Sequence, residues 1–286
     1  MKNKKVIYFF VGLGLTLSLL LASIIFYLQK SNELKVVFLN VGQGDAILIS
    51  QGSSQVLVDS GKSGKIVLEK LGKYIPFWDR QIEGIVITHP DYDHIAGFVD
   101  VLKNYEVKTI VRTGAKSNSK TFEALSEKIS KENAQNVEAR SGVKMKFSRG
   151  AQLEVKYPIF SKDIFSKNTN DESVVVGVDF GESSFLLTGD LPMEKESELI
   201  SATKNISAKV LKVAHHGSKY STGDEFLKMV NPSEAIISVG KNNYGHPTPE
   251  VVERMERHGI KIMRTDQVGD IAYRCNEKSC VFSSER

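Results

Sequence analysis

Thr88-His89-Pro90-Asp91-Tyr92-Asp93-His94 decides the reading of this chain. An apolar, strand-like run over 82–88 leads into it, so it falls on the loop where a strand ends. Four side chains able to bind a metal ion, His89, Asp91, Asp93 and His94, crowd into six residues. Carboxylates and imidazoles that close together repel and lose solvation unless a cation offsets the cost. A solvated polar loop is the plain alternative. Such loops often hold Asp but rarely bracket two Asp with two His, so the pattern points to metal.

The other histidines sharpen this. The chain has six, none before residue 89 and none between 94 and 215. Phe185-Leu-Leu-Thr-Gly189-Asp190 ends an apolar run in an Asp, which alone would also read as a helix N-cap. Val213-Ala-His215-His216-Gly217-Ser218 and Tyr244-Gly245-His246-Pro247 follow. His258 stands beside Gly259 and reads as a helix C-terminal charge or a surface residue. Each motif alone is suggestive; four in order at strand ends are specific.

The rest of the chain supplies the frame. Short β-rich runs over 34–41, 46–49 and 55–58 are broken by Gly42-Gln-Gly44 and Gly52-Ser-Ser54. Helical spacing over 66–75, 97–105, 120–133, 193–202, 224–230 and 249–258 alternates with strands over 82–88, 109–112, 143–157, 174–180, 185–188, 209–214, 235–239 and 261–264. Each half starts with strands and then alternates strand and helix. Two sheets facing each other with helices outside would bury that pattern. No Pro/Gly/Ser-rich run or charge block divides the body, so one domain over 34–286 is expected.

Residues 1–33 read differently. Val6 to Leu28 is an uncharged run of 23 residues. As a helix it would span about 34 Å, enough for a bilayer core of ~30 Å. Tyr8 and Tyr27 stand near its ends, where interfacial aromatics are favoured. The expectation is a basic cytoplasmic end over 1–5, a transmembrane anchor over 6–28, and a short linker over 29–33. A cleaved signal peptide, and hence a secreted domain, is the alternative. Lys2, Lys4 and Lys5 favour a cytoplasmic N-terminus, which would leave the body outside the cell.

Cys275 and Cys280 flank a four-residue polar turn between two strand-like runs, which would set them opposite each other. A disulfide suits an exported domain; free thiols and a metal site remain as alternatives, the latter short of two ligands.

On these motifs the chain resembles the metallo-β-lactamase fold superfamily. Within it, the resemblance is to the ComEC-like hydrolase domains of competence DNA-uptake proteins. It covers roughly 34–275 and is carried by Phe38-Leu-Asn-Val-Gly-Gln-Gly-Asp-Ala46, Leu57-Val-Asp59-Ser-Gly61, the 88–94 motif, Leu187-Thr-Gly-Asp190, His215-His-Gly-Ser218, Gly245-His-Pro247 and Arg264-Thr-Asp-Gln267. The resemblance implies an α/β fold, a four-layer αβ/βα sandwich, here preceded by the transmembrane helix. It implies two divalent metal ions. His89 and Asp91 would hold one, Asp93, His94 and His216 the other, and Asp190 would bridge both. His215 would face substrate, though it could exchange roles with His216. Asp59 would support the first motif, which is compatible with a turn Asp before Gly61. Asp93, His215 and His246 would take catalytic roles, although His246 also fits a structural Gly-His-Pro turn. Asn170, Ser173, Ser218 and Lys219 are candidate substrate contacts.

The chain departs from the family pattern in two places. Asp91 stands where β-lactamase-type relatives carry His, and no His lies between 95 and 214. Asn168-Thr-Asn-Asp-Glu-Ser173 fills that stretch. Harder ligands shift preference toward Mn²⁺ or Mg²⁺, so Zn and Mn both stay open and β-lactam turnover recedes. The expected function is a phosphodiesterase or nuclease acting on DNA through metal-activated hydroxide. A phosphodiesterase on another surface substrate, such as a phosphocholine-type ester, is the second reading; a non-catalytic metal-containing binding module is the third. Expected partners are DNA or another phosphodiester, the membrane, and DNA-uptake machinery. One apolar run cannot form a pore.

Charge bears on the substrate. Lys and Arg number 38 against 34 Asp and Glu, a formal +4. Residues 1–30 hold Lys2, Lys4, Lys5 and Lys30 and no acid, so the body is formally neutral. A neutral body gives no general support to extended DNA binding. A local groove built from Lys212, Lys219 and Lys241 is the expectation that remains.

Overall fold

Strand alternation builds the architecture, because successive side chains on a strand face opposite sides. The computed structural model describes residues 2–159, 168–203 and 205–285. In the first strand, β1 (Leu34–Phe38), Leu34, Val36 and Phe38 face one apolar layer and Val37 faces another. The same split runs through β2 (Ile47–Gln51) and β3 (Ser54–Val58). Then α2 (Gly64–Tyr74) crosses to β4 (Gln81–Ile87), and the short α3 (Tyr92–Ile95) and α4 (Phe98–Asn104) lead to β5 (Glu106–Arg112). Next, α5 (Lys120–Lys131) leads to β6 (Gln135–Glu138).

The second half repeats the scheme. It runs β7 (Lys144–Lys146), β8 (Gln152–Tyr157), β9 (Val175–Phe180), β10 (Ser183–Leu187), α6 (Met193–Ala202), β11 (Val210–Lys212), α7 (Asp224–Val230), β12 (Glu234–Ile237), α8 (Pro249–Arg257) and β13 (Lys261–Arg264). The chain closes with α9 (Thr265–Val268), β14 (Asp270–Cys275) and β15 (Cys280–Glu285). One sheet has the order β15-β14-β1-β2-β3-β4-β5-β6 and the other β13-β12-β11-β10-β9-β8-β7. One core lies between the sheets, one between the first sheet and α2, α4 and α5, and one between the second sheet and α6, α7 and α8. That is the expected four-layer αβ/βα sandwich.

This topology positions the site. Strands β3, β4 and β5 are parallel, as are β10, β11 and β12. Their C-terminal ends carry Asp59, His89, Asp190 and His216, so the motifs converge where parallel α/β sheets place ligands.

Some elements differ from expectation. The strand expected over 209–214 ends at Lys212, and Ala214–Gly217 forms a 3₁₀ turn. The first motif is half loop and half helix, because α3 begins at Tyr92. Pro192, not Asp190, caps α6. Strand β6 was not anticipated; its Gln-Asn-Val-Glu sequence sits on an open edge and carries no apolar signal. Cys275 and Cys280 face each other in the β14–β15 register and form a disulfide.

At the N-terminus, α1 covers Lys2–Asn32. Its described side chains, Lys4, those of 8–23 and Asn32, are exposed. Among the described residues no helix is long and apolar enough to cross a membrane, so the anchor over 6–28 rests on the sequence reading. Of the groups that reading used, Met1 and the side chains of Lys2, Lys5 and Tyr27 lie outside the described residues.

Candidate metal centre

Three buried imidazoles point the same way for the same reason. His216 Nδ1 donates to the Ser238 carbonyl at 2.8 Å. His94 Nδ1 lies 2.7 Å from Asp59 Oδ2. His89 Nδ1 lies 2.9 Å from Thr88 Oγ1, whose own proton goes to Asp59 Oδ2 at 2.6 Å, so the hydroxyl accepts from His89. With each Nδ1 committed, each Nε2 is turned inward. Among the described residues, none of the three buried Nε2 atoms has a hydrogen-bond partner. They lie 3.9 Å (His89), 3.4 Å (His94) and 3.6 Å (His216) from Asp190 Oδ2. Imidazoles locked through one nitrogen and aimed through the other are the arrangement of metal ligands.

Among the described residues the carboxylates complete four clusters, two of them through Asp45 and two without it. Of the latter, His89, His94 and Asp190 form one; Asp93, His94 and His216 form the other, with His216 Nε2 3.5 Å from Asp93 Oδ2. Asp91 Oδ2 lies 3.8 Å from His89 Nε2, and Thr169 Oγ1 donates to Asp91 Oδ1 at 2.6 Å. Thus the 168–173 segment reaches across and holds Asp91.

The backbone bends to present these groups. Asp59, His215, His216 and Thr222 all have positive φ, near 55°, 49°, 54° and 57°. Non-glycine residues adopt this region at a cost, and such strain gathers at functional sites. Gly44 allows a close approach here: at φ 122°, a Cβ on it would lie 2.1 Å from the Asp93 carbonyl.

The sequence reading gave Asp45 no role of its own and placed Lys212 in a surface groove. Asp45 is buried behind His94 and His216, 3.8 and 3.6 Å from their Nδ1 atoms. Lys212 is fully buried, ion-paired to Asp45, bonded to the Gly189 carbonyl at 2.9 Å, and 3.7 Å from Asp190 Oδ1. The expected basic groove is therefore corrected. Lys212 ends β11 facing the space between the sheets, and only Lys219 and Lys241 are exposed. The signal was present, since a Lys inside an apolar strand run needs a buried acid.

The field favours cations. Five carboxylates, Asp45, Asp59, Asp91, Asp93 and Asp190, lie against the three imidazoles or Lys212, the one lysine among them. Burial opposes charge on His94 and His216, yet Asp190 and Asp59 hold the first well above its ordinary pKa, and Asp190 and Asp93 raise the second. Burial pushes His89 well below. Despite burial, His94 and His216 keep Asp190 ionised. The orphaned nitrogens, the carboxylates and this field fit divalent metal binding.

The remaining candidates line the mouth or the supports. His215 Nε2 is 3.8 Å from Asp190 Oδ2, and its side chain is 33% exposed. It belongs to none of these clusters, which favours His216 over His215 as ligand. The His246 ring lies 5.3 Å from that of His215, and burial lowers its pKa. Ser173 is buried and accepts from Asp190 N–H at 3.2 Å, so it braces the Asp190 backbone. Ser218 is also buried and accepts from Tyr220 N–H at 3.3 Å. Asn170 Oδ1 is buried without a partner, and Lys219 is exposed. His258 stands apart, bound to Asp224 at 2.9 Å.

One support lies below the paired histidines. Glu196 accepts from Thr222 and Gly223 N–H at 2.5 and 2.8 Å, while Arg254 donates to the Ser221 and Thr222 carbonyls. Burial raises the Glu196 pKa to about 7.

Comparisons with known proteins agree with this geometry. Residues 39–241 match the Metallo-beta-lactamase superfamily. The chain is 35% identical to the ComE operon protein 3 of Bacillus subtilis over 271 residues, which is 88% of this chain and 34% of that protein. It is 30% identical to the competence protein ComA of Neisseria gonorrhoeae, over 92% of this chain and 36% of that protein. The chain thus spans about a third of the length of these relatives. Among solved structures, the metallo-beta-lactamase fold protein YhfI of Bacillus subtilis superposes with a TM-score of 0.55 at 13% identity, covering 85% of this chain and all of that one.

Proposed function

Because the chain belongs to the metallo-β-lactamase superfamily, we propose that it is a binuclear metal-dependent phosphodiesterase that cuts DNA. The observation that carries this reading is the convergence of three buried, unpartnered Nε2 atoms on Asp190. His89 and Asp91 would hold one ion, Asp93, His94 and His216 the second, with Asp190 between them. Zinc and manganese both suit this donor set. Bound there, two cations supply Lewis acidity and a nucleophile at neutral pH.

The chain's own residues do the rest. Asp59 fixes the ring of His94 directly and that of His89 through Thr88. Ser173 fixes the Asp190 backbone. His215 and His246 stand at the mouth, where a phosphate would meet them. Burial and the neighbouring His215 and His216 favour neutral His246, so it enters as an N–H donor and not as a fixed cation. Hydrogen bonds from both rings to phosphate oxygens would strengthen as charge builds on them.

DNA as substrate is supported by the likeness to ComA, which is named a competence protein, alongside the likeness to ComE operon protein 3. Anchorage through 6–28, with the enzyme outside the cell, is supported by the uncharged run and by Lys2, Lys4 and Lys5 before it. External protease on whole cells should digest the catalytic domain; an intact domain refutes this orientation.

The test of the reaction uses full-length protein in detergent with Mn²⁺ or Zn²⁺, single- and double-stranded DNA, and bis-p-nitrophenyl phosphate. Asp190→Ala should abolish turnover of all three. Metal-dependent cleavage that survives this change refutes the assignment, and cleavage of the small ester without DNA moves the substrate to another phosphodiester.

A further inference from the structure

Beside the metal centre lies a cleft that the mechanism above leaves unused. It opens at the C-terminal ends of β5 and β6, has a volume of about 420 Å³, and is lined by Arg112, Thr113, Phe122, Ser126, Asn136 and Glu138. Arg112 is the last residue of β5 and pairs in register with Ile87 of β4, two positions before His89. A small cavity lined by His89 and Pro90 shares Arg112, Thr113, Phe122 and Ser126 with the cleft. These shared side chains are the partition between the cleft and His89.

Arg112 is the unusual group. It is half-buried, and among the described residues its guanidinium has neither a hydrogen bond nor a carboxylate within 4 Å. Glu138 lies opposite it in the β5–β6 register yet is exposed and makes no pair with it. Burial alone perturbs Arg112, with no carboxylate offsetting the cost. An arginine keeps its charge at any working pH, and its planar fork matches phosphate oxygens. A half-buried guanidinium without a protein partner is free to meet an anion entering the cleft. The other walls supply an apolar ring, two hydroxyls, an amide and the exposed Lys116, which suit a phosphate with its sugar and base.

We propose that this cleft is a second phosphate-binding subsite, in which Arg112 holds a backbone phosphate of the polynucleotide that is cut at the metal centre. The inference rests on the phosphodiesterase reading and deepens it, since a subsite there selects a polynucleotide over an isolated phosphate ester. It also reconciles a nucleic-acid substrate with a formally neutral body, because one committed arginine in a cleft replaces a broad basic face.

Two variants of the full-length protein test it: Arg112→Gln, and Glu138→Lys at an exposed position that the fold does not depend on. Binding of a labelled single-stranded oligonucleotide is measured with chelator present over a range of salt. Turnover of the oligonucleotide and of bis-p-nitrophenyl phosphate is measured with metal. Arg112→Gln should weaken oligonucleotide binding about 10-fold and flatten its logarithmic salt slope by about 0.7, the share of one phosphate on a single strand. It should raise KM for the oligonucleotide and leave the small ester unchanged. Glu138→Lys should tighten oligonucleotide binding and likewise spare the small ester. Equal losses on both substrates, an unchanged salt slope, or a Glu138→Lys variant with wild-type binding overturns the subsite. A wild-type protein that binds the oligonucleotide through Arg112 but cleaves neither substrate refutes the phosphodiesterase reading alone.

Discussion

Asp59→Asn exchanges one buried oxygen for an amide nitrogen and nothing else. In the native protein Oδ1 accepts from Thr88 N–H at 2.9 Å, while Oδ2 accepts from the Thr88 hydroxyl and from His94 Nδ1, at 2.6 and 2.7 Å. An amide cannot accept at both ends. If its oxygen stays toward the Thr88 backbone, its NH₂ faces His94 Nδ1. That nitrogen must then accept, the ring proton moves to Nε2, and the lone pair aimed at Asp190 is lost. If the amide turns over, its NH₂ meets the Thr88 N–H, and a buried donor goes unsatisfied at about 1–3 kcal/mol. Loss of such an outer partner weakens metal binding about 10–100-fold, or roughly 1.4–2.7 kcal/mol. The metal-free fold should suffer less, because burial already raises the Asp59 pKa and the amide removes that charge. Titration calorimetry with Mn²⁺ or Zn²⁺ reads the affinity, and thermal unfolding in chelator reads the fold. Wild-type metal affinity in Asp59→Asn would refute the claim that Asp59 sets the His94 tautomer.

Three further outcomes follow from the same structure. Lys212→Met leaves Asp45 and Asp190 buried without their shared cation, so denaturant unfolding in chelator should show a loss of about 3–5 kcal/mol, partly recovered by added Mn²⁺; an unchanged midpoint counts against that role. Gly97→Ala, ordinarily helix-favouring, would put a Cβ 2.2 Å from the Ser60 carbonyl and 2.9 Å from Val67. It should cost about 1–3 kcal/mol and weaken metal binding by shifting the 59–61 turn, and a stabilised variant would refute this. Glu196 binds its proton more tightly folded (pKa about 7) than unfolded (4.5), so its contribution is full below pH 4.5 and is lost as pH rises to about 7, a change of roughly 3 kcal/mol. Urea midpoints between pH 5 and 8 should therefore fall more in wild type than in Glu196→Gln, and parallel profiles would exclude Glu196 as the source.

Much of the centre was legible because its signals are local. His89, Asp91, Asp93 and His94 fall within one turn, and Asp190 and His216 each close an apolar run that announces a strand end. Asp45 and Lys212 were harder because their meaning is relational. A Lys inside an apolar run calls for a buried acid, but that acid, Asp45, lies far off in sequence and only the fold brings the two together. Ser173 was assigned to substrate for the same reason: only the fold reveals that its hydroxyl is committed to Asp190 N–H. Strand β6 carried no pattern at all, since an edge strand pairs through its backbone and leaves its side chains free to be polar.

The pairing of β1 with both β2 and β14 has a consequence for how the protein is made. Asn40 N–H is held by the Asp270 carboxylate, 230 positions later in the chain. A ribosome adding ~5–20 residues per second takes roughly 10–50 s to cover that interval. Throughout it, β1 is an apolar strand with one unpaired edge, the kind of surface that recruits other chains. The domain can close only after nearly all of it has been synthesised. Its yield in a cell should therefore follow the holding capacity available to the nascent chain more closely than the stability of the finished fold.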